Sequence, residues 1–214
     1  SPPLVEQFVP SQRDTLNAGV TDSAWWVRFA LRNDLATPQE RLLVVGYALT
    51  DSLDLYAPDG AGGFRVTRAG DELPFRERAG DYRKPVFHLS VAPGATEVFY
   101  LRAQGEDALM LPLALWTDEG FAKVRRRENA GFGFYYGMLA MILLYNAVFF
   151  VLLRDRSYLY LTLSFLGLAL WQLALEGFVA QLVFPESPWW AHRAVGFLGM
   201  AAAIAMAAFV RTFL

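Results

Sequence analysis

Apolar and polar positions alternate through the first half of the chain and then stop alternating. In Trp25-Trp26-Val27-Arg28-Phe29-Ala30-Leu31-Arg32, the residues Trp25, Val27, Phe29 and Leu31 fall on one side of an extended strand. Trp26, Arg28 and Arg32 fall on the other. Comparable stretches predict strands at 41–47, 52–57, 64–69, 85–92, 96–104 and 110–117. Asn33-Asp34, Pro58-Asp59-Gly60, Gly62-Gly63, Pro93-Gly94 and Gly105-Glu106-Asp107 punctuate them. Short strands at this spacing, with no helical period between them, predict an antiparallel β-sandwich over residues 1–117 with Trp25 in its core.

One register follows from the pattern. Phe87, Leu89 and Val91 must share a core face, as must Phe99, Leu101 and Ala103. A hairpin through Pro93-Gly94-Ala95 would set Leu89 opposite Phe99 and Phe87 opposite Leu101, since a one-residue slip turns an apolar face to water. It would also set His88 opposite Tyr100 on the outer face, with Arg102 next along and the Trp26–Arg28 strand joining them.

Beyond this region the period changes. Residues 118–128 are a charged juxtamembrane linker, read as a hinge or a helix start. From 129 to 153 no residue is charged, and a helix of that length is about 37 Å long, enough to cross a bilayer. Arg154-Asp155-Arg156 ends the run. A second span is expected at 157–175 and a third at 194–210, with Glu176-Gly177 and Pro185-Glu186-Ser187-Pro188 between them. Tyr135-Tyr136, Tyr158, Tyr160 and Trp189-Trp190 fit interfacial aromatic belts. Residues 129–214 are therefore expected to be a membrane domain with the lipid bilayer as its partner.

Composition sharpens that division. Of 40 charged side chains, 33 lie in residues 1–128 and only seven in residues 129–214. Hydrophobic residues make up 55% of the chain and mean hydropathy is +0.27, too apolar for an ordinary soluble domain. A net charge of −2 offers no field for nucleic acid. Cysteine is absent, which excludes disulfides, thiolate zinc sites and cysteine nucleophiles. Two histidines, His88 and His192, are too few for a multi-histidine centre. No cofactor or metal is expected.

No acidic pair lies in a context suited to acid–base catalysis, so the chain does not read as an enzyme. Gly60-Ala61-Gly62-Gly63 lacks the Lys-Ser/Thr of a phosphate loop and reads as a hairpin turn. The outer-face set Trp26, Arg28, His88, Tyr100 and Arg102 is the candidate ligand site. Arginine forks hold carboxylates or hydroxyls, and aromatic faces stack on sugar rings or cations. A solvated sheet face is the plainer alternative, with Arg28, Arg78 and Arg102 as ion-pair partners of Asp54 or Asp71. In the first span, Asn146 is expected to hydrogen-bond another helix, and Gly133-Phe134-Tyr135-Tyr136-Gly137 forms a GxxxG pattern that permits close helix approach.

Charge alone puts the sandwich inside. Lys123 and Arg125-Arg126-Arg127 precede the first span, against Arg154 and Arg156 in the following loop and Arg211 near the end of the third span. A cleaved signal peptide would commit the sandwich to translocation regardless, so these residues leave orientation open.

A resemblance adds to this reading. Trp26-Val27-Arg28-Phe29 with Asn33, Asp54-Leu55-Tyr56, Gly70-Asp71, Pro74-Phe75, Arg78, Pro93-Gly94 and Tyr100-Leu101-Arg102 resemble the type-2 extracellular domain of the bacterial seven-transmembrane receptors with diverse intracellular signalling modules, 7TMR-DISM. Tyr135-Tyr136-Gly137, Tyr145-Asn146 and Arg154-Asp155-Arg156-Ser157-Tyr158-Leu159-Tyr160 are similar to the start of that family's membrane domain. The resemblance implies an all-β antiparallel jelly-roll sandwich followed by α-helical transmembrane segments, with the sandwich periplasmic and Arg154-Asp155-Arg156 inside. The family carries seven spans and a cytoplasmic cyclase or kinase, so three spans imply a truncated chain or a fragment. The expected function is a bacterial inner-membrane sensor whose sandwich binds a ligand, a glycan or a carboxylate, or a partner. A homodimer is left open. The alternative is an envelope scaffolding protein with no signalling output.

Overall fold

The computed structural model describes residues 8–11, 15–105 and 108–214. The chain divides into two compact units, Ser1–Phe121 and Ala122–Leu214. Among its described residues the first holds eight strands: β1 (Thr15–Val20), β2 (Trp25–Arg32), β3 (Gln39–Val45), β4 (Ser52–Pro58), β5 (Phe64–Ala69), β6 (Val86–Val91), β7 (Thr96–Gln104) and β8 (Ala108–Trp116). They form two antiparallel four-stranded sheets, ordered β1-β8-β3-β6 and β2-β7-β4-β5. Seven of the eight were legible in the sequence, as alternating runs or, at β3, as a short apolar run. β1 was not singled out: Leu16, Ala18 and Val20 alternate with polar positions there, but Asn17 and Gly19 are turn-type residues. Its register shifts between those two residues, Gly19 adopts φ 69°, and its N–H donates to Asn17 Oδ1 at 2.9 Å. Of the expected turn Gly105-Glu106-Asp107, only Gly105 lies within the described residues.

The core lies between the sheets. Leu43, Val45, Phe87, Leu89, Val91, Leu109 and Leu111 from one meet Leu53, Leu55, Phe99, Leu101 and Ala103 from the other. The expected β6–β7 hairpin does not form. β6 pairs with β3 and β7 with β2 and β4, so the turn after Val91 crosses from one sheet to the other. Alternation correctly assigned both apolar faces. It could not say whether two such faces lie side by side in one sheet or oppose each other across a gap of about 10 Å. Trp25 also departs from expectation. It is 46% exposed, about as much as Trp26 at 45%, because it starts an edge strand and lies outside the packed core. The loop Gly60-Ala61-Gly62-Gly63 does join a hairpin, β4 to β5.

In the second unit, α1 (Asp118–Leu153), α2 (Arg156–Leu175) and α4 (Pro188–Phe213) are each long and apolar enough to cross a membrane, and α3 (Phe178–Leu182) is a short connector. The charged stretch 118–128 is helical throughout. α2 packs on α4 through small residues. A Cβ on Gly167 would come within 2.9 Å of the Ala202 backbone, and one on Gly199 within 3.1 Å of Trp171 Nε1. Gly133 and Gly137 instead face open space. Asn146 does not bond another helix: its amide donates to Ile142 O of its own helix at 2.8 Å. That in-helix bond satisfies a donor in an apolar stretch without a partner helix.

Candidate functional site

The two outer faces of the sandwich differ. On the sheet holding β3 and β6, the outward Leu42, Val44 and Val86 are buried beneath Tyr82 and Phe121, with Trp116 packed beside them. Tyr82 and Phe121 meet edge-on at 5.2 Å. On the other sheet the outward side chains stay accessible, and register places them in rows. Trp26, Arg102, Asp54 and Arg68 make one row across β2, β7, β4 and β5. Arg28, Tyr100, Tyr56 and Val66 make the next.

The first row is largely tied together. Arg102 Nη1 lies 3.4 Å from Asp54 Oδ2, and Arg68 Nε lies 3.7 Å from Asp54 Oδ1. Arg102 also donates to Gln104 Oε1, whose amide donates to Asp22 O at 3.2 Å. Aromatic rings gather around the two tyrosines of the second row. Trp26 and Tyr56 rings are 5.3 Å apart, Phe64 meets Tyr100 edge-on at 5.6 Å, and Phe8 approaches Tyr100 at 6.0 Å. Arg28 lies directly across from Tyr100. It is exposed, and among the described residues no hydrogen bond or ion pair engages it.

Beside these rows a cavity of about 510 Å³ lies along β2, which among the described residues is the edge strand of its sheet. Inward-facing Trp25 and Val27 line it together with outward-facing Trp26 and Arg28. Leu16, Leu109 and Leu111 of the other sheet, with residues 8–11, complete it. Both β1 and β2 are edge strands, so the core here opens between two sheet edges.

The structure therefore brings Trp26, Arg28, Tyr100 and Arg102 onto one face and leaves His88 out. His88 lies in β6 opposite Leu42, on the outer face of the other sheet. The cause is the crossing after Val91: the hairpin that would have set His88 beside Tyr100 is absent. Sequence reasoning missed Tyr56 and Phe64. Leu55 points inward, so its neighbours Asp54 and Tyr56 had to point outward, and that alternation was available as a signal. It also missed the cavity, which no local pattern encodes.

The remaining motif residues build the frame. Asn33 is buried and its amide donates to Thr37 O, Val91 O and Ala92 O at 2.9–3.1 Å, while its Oδ1 accepts from Leu35 N–H. It thus ties the turn after β2 to the sheet crossing. Gly70 has φ 129°, and a Cβ there would collide with the Asp51 carbonyl oxygen. Asp71 N–H donates to Thr50 O at 2.9 Å. Arg78 donates from Nε to Leu73 O at 2.9 Å and from Nη2 to Asp71 O at 3.1 Å, and lies over the Phe75 ring. Burial lowers the Arg78 pKa, and the nearby Asp71 opposes this. These contacts shape the segment that carries Tyr82 over the covered face.

Comparison with known families gives a consistent result. Residues 1–117 match the family model described as 7TMR-DISM extracellular 2, and residues 128–214 match that of 7TM diverse intracellular signalling. No curated protein matches the chain significantly. A β-sandwich matching the extracellular model, followed by helices of membrane-spanning length matching the membrane model, identifies the chain as a member of the 7TMR-DISM family of multi-pass transmembrane sensory receptors with an N-terminal extracellular domain.

Proposed function

We propose that this chain is the sensory and membrane-entry region of a receptor in a bacterial cytoplasmic membrane. The sandwich faces the periplasm and takes a ligand at the open face and free edge of β2. The helices pass the change to a cytoplasmic output module of the kind this family carries. The observation that carries the reading is Arg28, a charged and unengaged side chain set against Trp26 and Tyr100 at the rim of a cavity. A cation of this kind on a rigid strand beside aromatic faces is suited to recognition, since it binds without first breaking an internal pair. The signal route is supported by α1. Phe121 in its first turn belongs to the small core on the covered face, and the same helix continues to Leu153.

The topology is tested with the chain's lack of cysteine. Gly62→Cys should react with a membrane-impermeant thiol reagent on intact spheroplasts, and Asp155→Cys should react only after lysis. The opposite pattern would put the sandwich in the cytoplasm and end this reading.

A further inference from the structure

The cavity at the edge of β2 joins two environments. Its inner wall is continuous with the core, through Leu16, Val27, Leu109 and Leu111. Its rim carries Arg28, and among the described residues no other charged side chain lines it. Of the other polar lining side chains, Asn17 accepts the Gly19 N–H at its Oδ1 and Ser11 is engaged elsewhere, which leaves the Asn17 amide and the Trp25 and Trp26 indoles, all neutral donors.

From this lining we infer that the site takes an amphiphilic monoanion, a carboxylate on an apolar body. The inference rests on the sensory reading above and adds the ligand's chemistry to it. The carboxylate meets the Arg28 guanidinium, whose planar fork matches two oxygens. The apolar body enters between the sheets. About 510 Å³ falls within the roughly 300–1,000 Å³ of small-molecule sites. A free sugar fits this lining poorly. Several of its hydroxyls would lose water against leucine and valine without gaining partners, and each such loss is unfavourable. A neutral apolar molecule would fill the interior but leave Arg28 without a counter-charge. The aromatic rim suits the junction of the ligand's two halves, because Trp25 and Trp26 each present a large apolar surface with one polar N–H.

The test uses the full chain in phosphatidylcholine nanodiscs, with empty nanodiscs as the partition blank. Octanoate, octanamide and glucose are compared by saturation-transfer NMR. Octanoate should bind above the blank, about tenfold or more tighter than octanamide, the scale of a hydrogen-bonded charge contact. Arg28→Ala should erase that difference, while Arg28→Lys should keep part of it. Leu109→Trp, which fills the cavity, should abolish binding of both. Arg28→Ala changes an exposed side chain and keeps the test valid should Leu109→Trp fail to fold. Equal binding of octanoate and octanamide by the unmodified chain, or no octanoate signal above the blank, would overturn the inference. Glucose binding that Arg28→Ala abolishes, with no octanoate signal, would overturn it too while leaving the sensory site in place. Failure of the sensory topology itself would show separately in the cysteine labelling.

Discussion

The two outer faces of the sandwich are built from the same strand alternation and have opposite fates. On one, Leu42, Val44 and Val86 point outward and are still buried, because Tyr82 and Phe121 lie over them. On the other, Trp26, Arg28 and Phe64 point outward and remain exposed. The covered face reads in the sequence as an unbroken apolar run, Leu42-Leu43-Val44-Val45, all buried. The open face reads as clean alternation, as in β7, where Phe99, Leu101 and Ala103 are buried and Tyr100 and Arg102 only partly so. A strand that is apolar on both sides announces a second layer. One that alternates leaves a face available for recognition, and here the covered face secures the start of α1 while the open face keeps its cation unengaged.

Three measurements would break or sharpen that contrast, all by denaturant unfolding of the full chain or by NMR. The largest effect belongs to the covered face. Phe121→Ala should destabilise the sandwich by about 3–5 kcal/mol, the usual cost of truncating a buried aromatic. Phe64→Ala, half exposed on the open face, should cost under about 1 kcal/mol. Equal losses would mean that the faces do not differ in the way described.

A smaller difference separates two arginines of the open face. Arg102→Ala should cost about 1 kcal/mol. It removes a partly exposed ion pair and the bond to Gln104, yet leaves Asp54 with Arg68 at 3.7 Å. Arg28→Ala should cost under about 0.5 kcal/mol. A loss at Arg28 matching that at Arg102 would make both structural and remove the free cation from the site.

The smallest effect is at Asp59, in the turn that joins β4 to β5. Its Oδ1 accepts the N–H groups of Ala61 and Gly63, both at 2.8 Å, and these bonds hold its pKa below the ordinary value. A depressed folded pKa contributes stability that is present above the unfolded value of about 3.9 and is lost as pH falls through the folded one. The Asp59 carboxyl should therefore titrate with a midpoint below 3.9 by carbon-detected NMR. Asp59→Asn should flatten the acid slope of stability slightly, and an unshifted midpoint would refute the account.

Much of the architecture was legible before any coordinates. Period-two patterning needs only the two faces of a strand, so with the short apolar run of β3 it located seven strands. Uncharged runs located the membrane helices, because an apolar solvent tolerates few charges along 25 residues. The same patterning placed Trp26, Arg28, Tyr100 and Arg102 outward. What it could not do was choose partners. Leu89 and Phe99 belong to one core whether they are neighbours in a sheet or opposed across the gap, so the sequence alone was satisfied by a hairpin that does not exist. That choice sent His88 to the opposite face, tied Arg102 to Asp54, and put Trp25 at an exposed edge. The cavity beside Arg28 arises only where β1 and β2, separate edges of separate sheets, leave the core open. Burial pattern is a property of each strand and can be read locally. Pairing and edge exposure are properties of how strands from distant parts of the chain close around one core, and tertiary structure alone decides them.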